Sequence, residues 1–132
     1  MSFSSGNAVV DRYIDEGYDT VRGMSSTFAA TICGHVIRRQ TELGIKGHIA
    51  EIGTFEGRFF IAMALGMADD EHALGIDTFN WPNDGLLDLF HSHCARLGLA
   101  RALYGDQGEC ARSFGQGHPR RARRTTACHA GV

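Results

Sequence analysis

The chain has 132 residues, 43% hydrophobic and 21% charged, which suits one soluble globular domain with one modest core. No apolar run approaches the roughly 18 residues that span a bilayer, and the N-terminus lacks a basic region followed by an apolar one, so composition argues against a membrane span and a secretory leader. The net charge of −2 conceals an asymmetry: residues 111–132 hold five arginines and no Asp or Glu, leaving 8 basic against 15 acidic residues, a net of −7, in the first 110. Cys33, Cys94, Cys110 and Cys128 form no Cys-x-x-Cys pair, as expected of free thiols in a reducing compartment. A cytoplasmic protein is the default expectation.

Residues 8–22 place Val10, Tyr13, Ile14, Tyr18 and Val21 at helical spacing, with Gly17 weakening the helix and Gly23 ending it. Ser25 or Ser26 can cap a second helix running to about Leu43, with Gly44 at its stop. Its predicted buried stripe is Phe28, Ala29, Ile32, Cys33, Val36 and Ile37. A first strand is predicted over 48–52, a helix from about Glu56 to Met67, and a second strand over 73–77. A helix over about 84–97 follows, capped by Asn83 or Asp84, with Leu86, Leu87, Phe90 and Leu97 inward. A third short strand over 101–104 ends in Gly105-Asp106. This alternation predicts a parallel sheet with right-handed crossovers. After about residue 110 the hydrophobic period stops, and the basic tail is expected to be loosely packed or disordered. Three segments result: a helical segment over 1–44, an α/β core over 45–110, and the tail over 111–132.

The densest signal is Glu51-Ile52-Gly53-Thr54-Phe55-Glu56-Gly57, with Asp77 standing 24 residues after Gly53. It reads as strand, acidic residue, glycine turn, helix, strand and acidic residue, the ligand-binding half of a Rossmann-like unit. Charge narrows the ligand. A dinucleotide seats its pyrophosphate over such a turn and needs unopposed N–H groups there. Glu51 and Glu56 would repel a pyrophosphate and attract a cation. The spacing is also Gly-x-x-x-Gly, without the middle glycine of dinucleotide sites. Both features argue against an NAD(P)-dependent oxidoreductase. S-adenosylmethionine, a nucleoside bearing ammonium and sulfonium groups and no phosphate, suits the turn better.

These motifs, followed by Gly75-Ile76-Asp77-Thr78-Phe79, resemble the class I S-adenosylmethionine-dependent methyltransferases, in the small-molecule branch with an E-I-G-x-x-x-G first motif. The resemblance covers roughly residues 20 to 106. It implies an α/β fold, a Rossmann-like parallel sheet with flanking helices, here incomplete at about three strands and preceded by the two N-terminal helices read above. It also implies S-adenosylmethionine as cofactor and a small-molecule methyl acceptor. Glu51 would lie by the amino-acid end of the cofactor. Gly53, Thr54, Phe55 and Gly57 would supply the turn's contacts, and Asp77 would bind both ribose hydroxyls. Thr78 and Phe79 would lie against the adenine, with Phe79 or Trp81 stacking on it. Asp106 would reach the adenine amino group. No residue is assigned as general base.

The remaining features read differently. Glu56 and Arg58 are expected to be solvated residues of a helix first turn. His91 and Cys94 share one helix face, but no second ligand pair stands at zinc-like spacing, so no metal is predicted. Arg120, Arg121, Arg123 and Arg124 lack interleaved aromatic residues, which argues against nucleic acid as a partner. The family's sheet continues past three strands and carries an acidic motif near the acceptor that this chain lacks. The expectation is therefore a chain truncated or frame-shifted near residue 110, with a non-catalytic cofactor-binding fragment as the alternative reading, whose exposed sheet edge invites self-association.

Overall fold

The computed structural model describes residues 3–99. The predicted strand over 101–104, Asp106 and the basic tail lie outside the described residues.

Helix α1 spans Ala8–Glu16 and opens on Asn7, whose side chain accepts hydrogen bonds from the N–H groups of Val9 (3.0 Å) and Val10 (3.3 Å). Those N–H groups have no partner inside the helix, so an Asn at this position stabilises the end. The helix predicted over 8–22 stops at Gly17 and resumes only as a 3₁₀ turn, Tyr18–Thr20. Gly17 costs helix stability, and its position lies against the Tyr13 ring, which leaves no room for a Cβ.

Helix α2 spans Thr27–Glu42. Of the two candidate caps Ser26 is used, accepting the N–H of Ala29 at 3.1 Å. At the other end Gly44 takes φ +70°. There Gly44 N–H reaches Thr41 O at 3.0 Å, and Ile45 N–H reaches Gln40 O at 2.9 Å. That bond pair is a Schellman ending, which glycine enters without the Cβ penalty of the left-handed region.

The buried face of α2 is only partly the predicted one: of that stripe Ile37 is buried, and Ala29 and Cys33 are half-buried. Ala30, Thr31, Gly34 and Ile37 are buried, whereas Phe28, Ile32 and Val36 are exposed. Close approach decides this. A Cβ on Gly34 would lie 2.9 Å from the Ser5 Cβ and 3.0 Å from Val10 Cγ1, so the small side of α2 meets the N-terminal segment and α1. The Thr31 hydroxyl is satisfied within the helix by Thr27 O at 2.9 Å.

Strand β1 spans Ile49–Ile52, helix α3 Arg58–Leu65, strand β2 Ala73–Ile76 and helix α4 Leu86–Arg96. Among the described residues the sheet is β1 beside β2, parallel, with Glu51 opposite Gly75 and Ile52 opposite Ile76. The β1–α3–β2 order is the parallel crossover unit that the sequence predicts. Helix α4 begins without a side-chain cap; Asn83 Oδ1 instead accepts the N–H of Gly85 at 3.0 Å, closing the preceding turn.

The core joins all these helices. Tyr13, Tyr18 and Val21 of the N-terminal segment, Phe60 and Ile61 of α3, Phe79, and Leu86, Phe90 and Cys94 of α4 form one buried cluster. Phe60 and Phe90 meet edge to face at 5.2 Å. This cluster lies on one face of the sheet, the side of Ile49, Glu51, Ala73 and Gly75; Ala50 and Ile52 are exposed. Parallel sheets are ordinarily covered on both faces. Here, among the described residues, one face is covered.

Candidate functional site

The turn after β1 carries the predicted ligand-binding residues, and the structure separates their tasks. Gly53 has φ +82°, and nothing lies within 4 Å of where its Cβ would be. Its N–H donates to Ile76 O at 2.8 Å, so the backbone is anchored while its outer side stays open. Thr54 is buried. Its hydroxyl accepts the N–H of Ile76 (3.1 Å) and donates to Glu51 O (3.1 Å), splicing the two strand ends together. Phe55 holds φ +53° and donates its N–H to Asp77 Oδ2 at 2.7 Å. Gly57, at φ +92°, opens α3, and a Cβ there would lie 2.7 Å from Phe90 Cδ2. Gly57 is therefore glycine for packing against α4, whereas Gly53 borders open space.

Asp77 follows β2 directly. Its Oδ1 accepts the Phe79 N–H at 3.1 Å and lies 3.4 Å from the Thr78 hydroxyl, and its Oδ2 accepts from Phe55. Asp77 thus clamps the glycine turn to the following loop. A carboxylate offers about four acceptor positions, so further hydrogen bonds remain open to it. The Phe79 ring is buried against Phe90 at 5.5 Å and belongs to the core. Trp81 is 71% exposed and stands 6.1 Å from the Phe55 ring, over which Arg22 places its guanidinium at 5.7 Å. Of the two aromatic residues named for stacking, Trp81 is the one with a free face. Asp106 lies outside the described residues.

Glu51 is the most perturbed carboxyl of the site. Burial pushes its pKa up to about 7, and the neighbouring Asp77 charge adds to the rise, partly opposed by a hydrogen bond from the Phe60 N–H. Its Oε2 is buried and has no hydrogen-bond partner among the described residues. A buried carboxylate oxygen without a donor is costly, and a cation or hydroxyl donor would relieve it.

Glu56 and Arg58 are not the solvated side chains that the sequence predicts. Glu56 is 3% exposed. Its Oε1 accepts Arg22 Nε at 2.6 Å, its Oε2 accepts the Arg22 N–H at 3.2 Å, and His93 Nε2 lies 3.5 Å from Oε2. Arg58 lies over the Tyr18 ring at 4.3 Å, donates to Gly23 O at 3.0 Å and pairs with Asp19. Its own carbonyl accepts the Tyr13 hydroxyl at 3.0 Å. The partners from Tyr13 to Gly23 lie 34 to 45 residues upstream and His93 lies downstream on α4, so no local spacing announces them. The carboxylate of Glu56 is neutralised by Arg22, which leaves Glu51 and Asp77 to set the charge at the strand ends.

A cleft of about 180 Å³ lies at the opposite end of the strands, lined by residues such as Ile37, Lys46, His48 and Glu71, and includes none of the predicted site residues. Among the described residues no group of three or more His, Cys, Asp or Glu is disposed to hold a metal ion, and no helix is long and apolar enough to cross a membrane. Burial pushes the Cys94 thiol up to about 12, so it has no thiolate reactivity near neutral pH.

No protein-family model matches the chain, and no curated protein does. A solved structure described as "a putative O-methyltransferase from Klebsiella pneumoniae" aligns with 85% of this chain at 19% identity and a TM-score of 0.49. The chain spans 50% of the length of that structure.

Proposed function

We propose that the chain binds S-adenosylmethionine at the β1–α3 turn and belongs to a methyltransferase acting on a small-molecule acceptor. One observation carries the reading. The open left-handed turn at Gly53 lies between two strand-end carboxylates, Glu51 and Asp77, and one oxygen of Glu51 is buried without a donor. A ligand that seats here must bring positive charge and hydrogen-bond donors and must not bring a pyrophosphate. A sulfonium nucleoside with an ammonium group meets these requirements; NAD does not.

In this reading Glu51 holds the ammonium end and Asp77 uses its remaining acceptor positions on the ribose hydroxyls. Gly53 lets the ligand approach the backbone. Trp81 offers its free face to the adenine. When bound, the cofactor supplies a methyl group on a positively charged sulfur. The protein's share of the transfer is chiefly to hold the acceptor in line with that methyl. No described residue is assigned to the acceptor's proton.

The test is a calorimetric titration of the full chain with S-adenosylmethionine, S-adenosylhomocysteine and NAD side by side, repeated for Asp77→Ala. Saturable binding of the first two, absent for NAD and weakened by the substitution, is the expected result. Saturable NAD binding, with none of the other two, would overturn it.

A further inference from the structure

Helix α2 is apolar on two sides. Its small side, Ala30, Thr31, Gly34 and Ile37, is buried in the molecule. On the opposite side Phe28, Ile32 and Val36 recur every four residues and are 55%, 47% and 48% exposed. Leu43, also exposed, continues the line about two helical turns further on. The exposed Phe3 ring extends it at the other end, edge-on to Phe28 at 5.5 Å. A helix apolar on both sides is ordinarily covered on both.

We propose that this stripe is the contact surface for a second copy of the chain, packed α2 against α2 in a symmetric dimer. Area is the first argument. The five side chains leave on the order of 500 Å² in water, as large as a monomer's largest apolar patches and more than half of the roughly 800 Å² that each partner gives a standard interface.

Charge is the second argument. No Asp, Glu, Lys or Arg occurs from residue 27 to 37, and Arg38 and Arg39 both pair with Glu42 on the same helix. The stripe over 27–37 thus brings no charge into a contact with itself, and beyond it Arg38 and Arg39 share the one Glu42 carboxylate, which leaves a single net positive charge. An apolar row of this kind is self-complementary, as a two-fold interface requires. Residues 100–132 hold few large apolar side chains of their own to cover it: Leu103, Tyr104, Phe114 and Val132.

Sedimentation velocity of the full chain over a range of concentrations tests this, with wild type beside Ile32→Glu, Val36→Glu, Ile32→Ser and Ile52→Glu. Ile52 is an exposed residue of β1 and reports on contact through the sheet instead. Circular dichroism verifies that each variant is folded, and Ile32→Ser serves should a glutamate disturb the helix. Wild type is expected at twice 14.4 kDa and Ile52→Glu likewise. The α2 variants are expected near the monomer mass, with the dissociation constant raised at least about tenfold. A wild-type monomer at every concentration would overturn the proposal. So would a dimer that survives the α2 substitutions, or one lost only in Ile52→Glu.

Discussion

Gly53 and Gly57 share a positive φ but differ in what a side chain would meet. An alanine at Gly53 meets open space, so its cost is backbone strain alone, about 1–2 kcal/mol. At Gly57 the same strain adds to overlap with Phe90, for a total of about 2–4 kcal/mol. Urea unfolding should therefore rank Gly57→Ala well below Gly53→Ala in stability, and ligand titration should show the larger loss of binding in Gly53→Ala. The sequence made both glycines conspicuous. It did not divide their tasks, because the division depends on Phe90, on a different helix.

Glu51 also carries a pH signature. Its folded-state pKa of about 7 lies above its ordinary value of 4.5. The stability linked to its proton is thus fully present below about 4.5 and is lost as pH rises through about 7. Ionised Glu51 then costs the unliganded fold at most about 3 kcal/mol. Glu51→Gln should raise the melting temperature at pH 8, leave it nearly unchanged at pH 4.5, and weaken binding of S-adenosylmethionine. A melting temperature at pH 8 equal to or below wild type would show that Glu51 is not held against its charge. Glu51 and Asp77 stand out in the sequence because one lies two residues before the glycine turn and the other ends the second predicted strand; the burial that perturbs Glu51 does not.

The two ends of α2 were legible, because capping is local chemistry, whereas the first helix stops at Gly17 and not Gly23, and α4 begins without the predicted side-chain cap. Ser26 and Gly44 stand where a cap and a left-handed stop are needed, and the structure uses both. The buried face of α2 was not legible. Phe28, Ile32 and Val36 mark one apolar side, yet close packing selects the small side around Gly34, and hydropathy cannot tell which side a neighbouring helix approaches. The tie between Arg22 and Glu56 was hidden for a similar reason, since it joins the loop before α2 to the turn before α3. Removing Arg22 leaves a buried carboxylate with less support. Arg22→Ala should cost about 1–3 kcal/mol in denaturant unfolding. Paired with Glu56→Gln it should cost less than the two separate losses added, and strict additivity would show that the two side chains are not coupled.

For the whole molecule, alternation of elements predicted a parallel α/β sheet with helices before it, and β1, α3 and β2 realise that order. Which sheet face is covered and which side of α2 stays exposed depend on how the elements pack together, which a single periodic pattern does not encode. What unites fold and site is the placement of Glu51 and Asp77 at adjacent strand ends around an open turn. The most direct test is calorimetric titration of the full chain with S-adenosylmethionine at pH 8, wild type beside Glu51→Gln, with circular dichroism confirming that both are folded. Saturable binding by wild type, weakened at least about tenfold in Glu51→Gln, is the predicted result. A folded wild-type chain that takes up no S-adenosylmethionine, or a variant that binds as tightly as wild type, would contradict it.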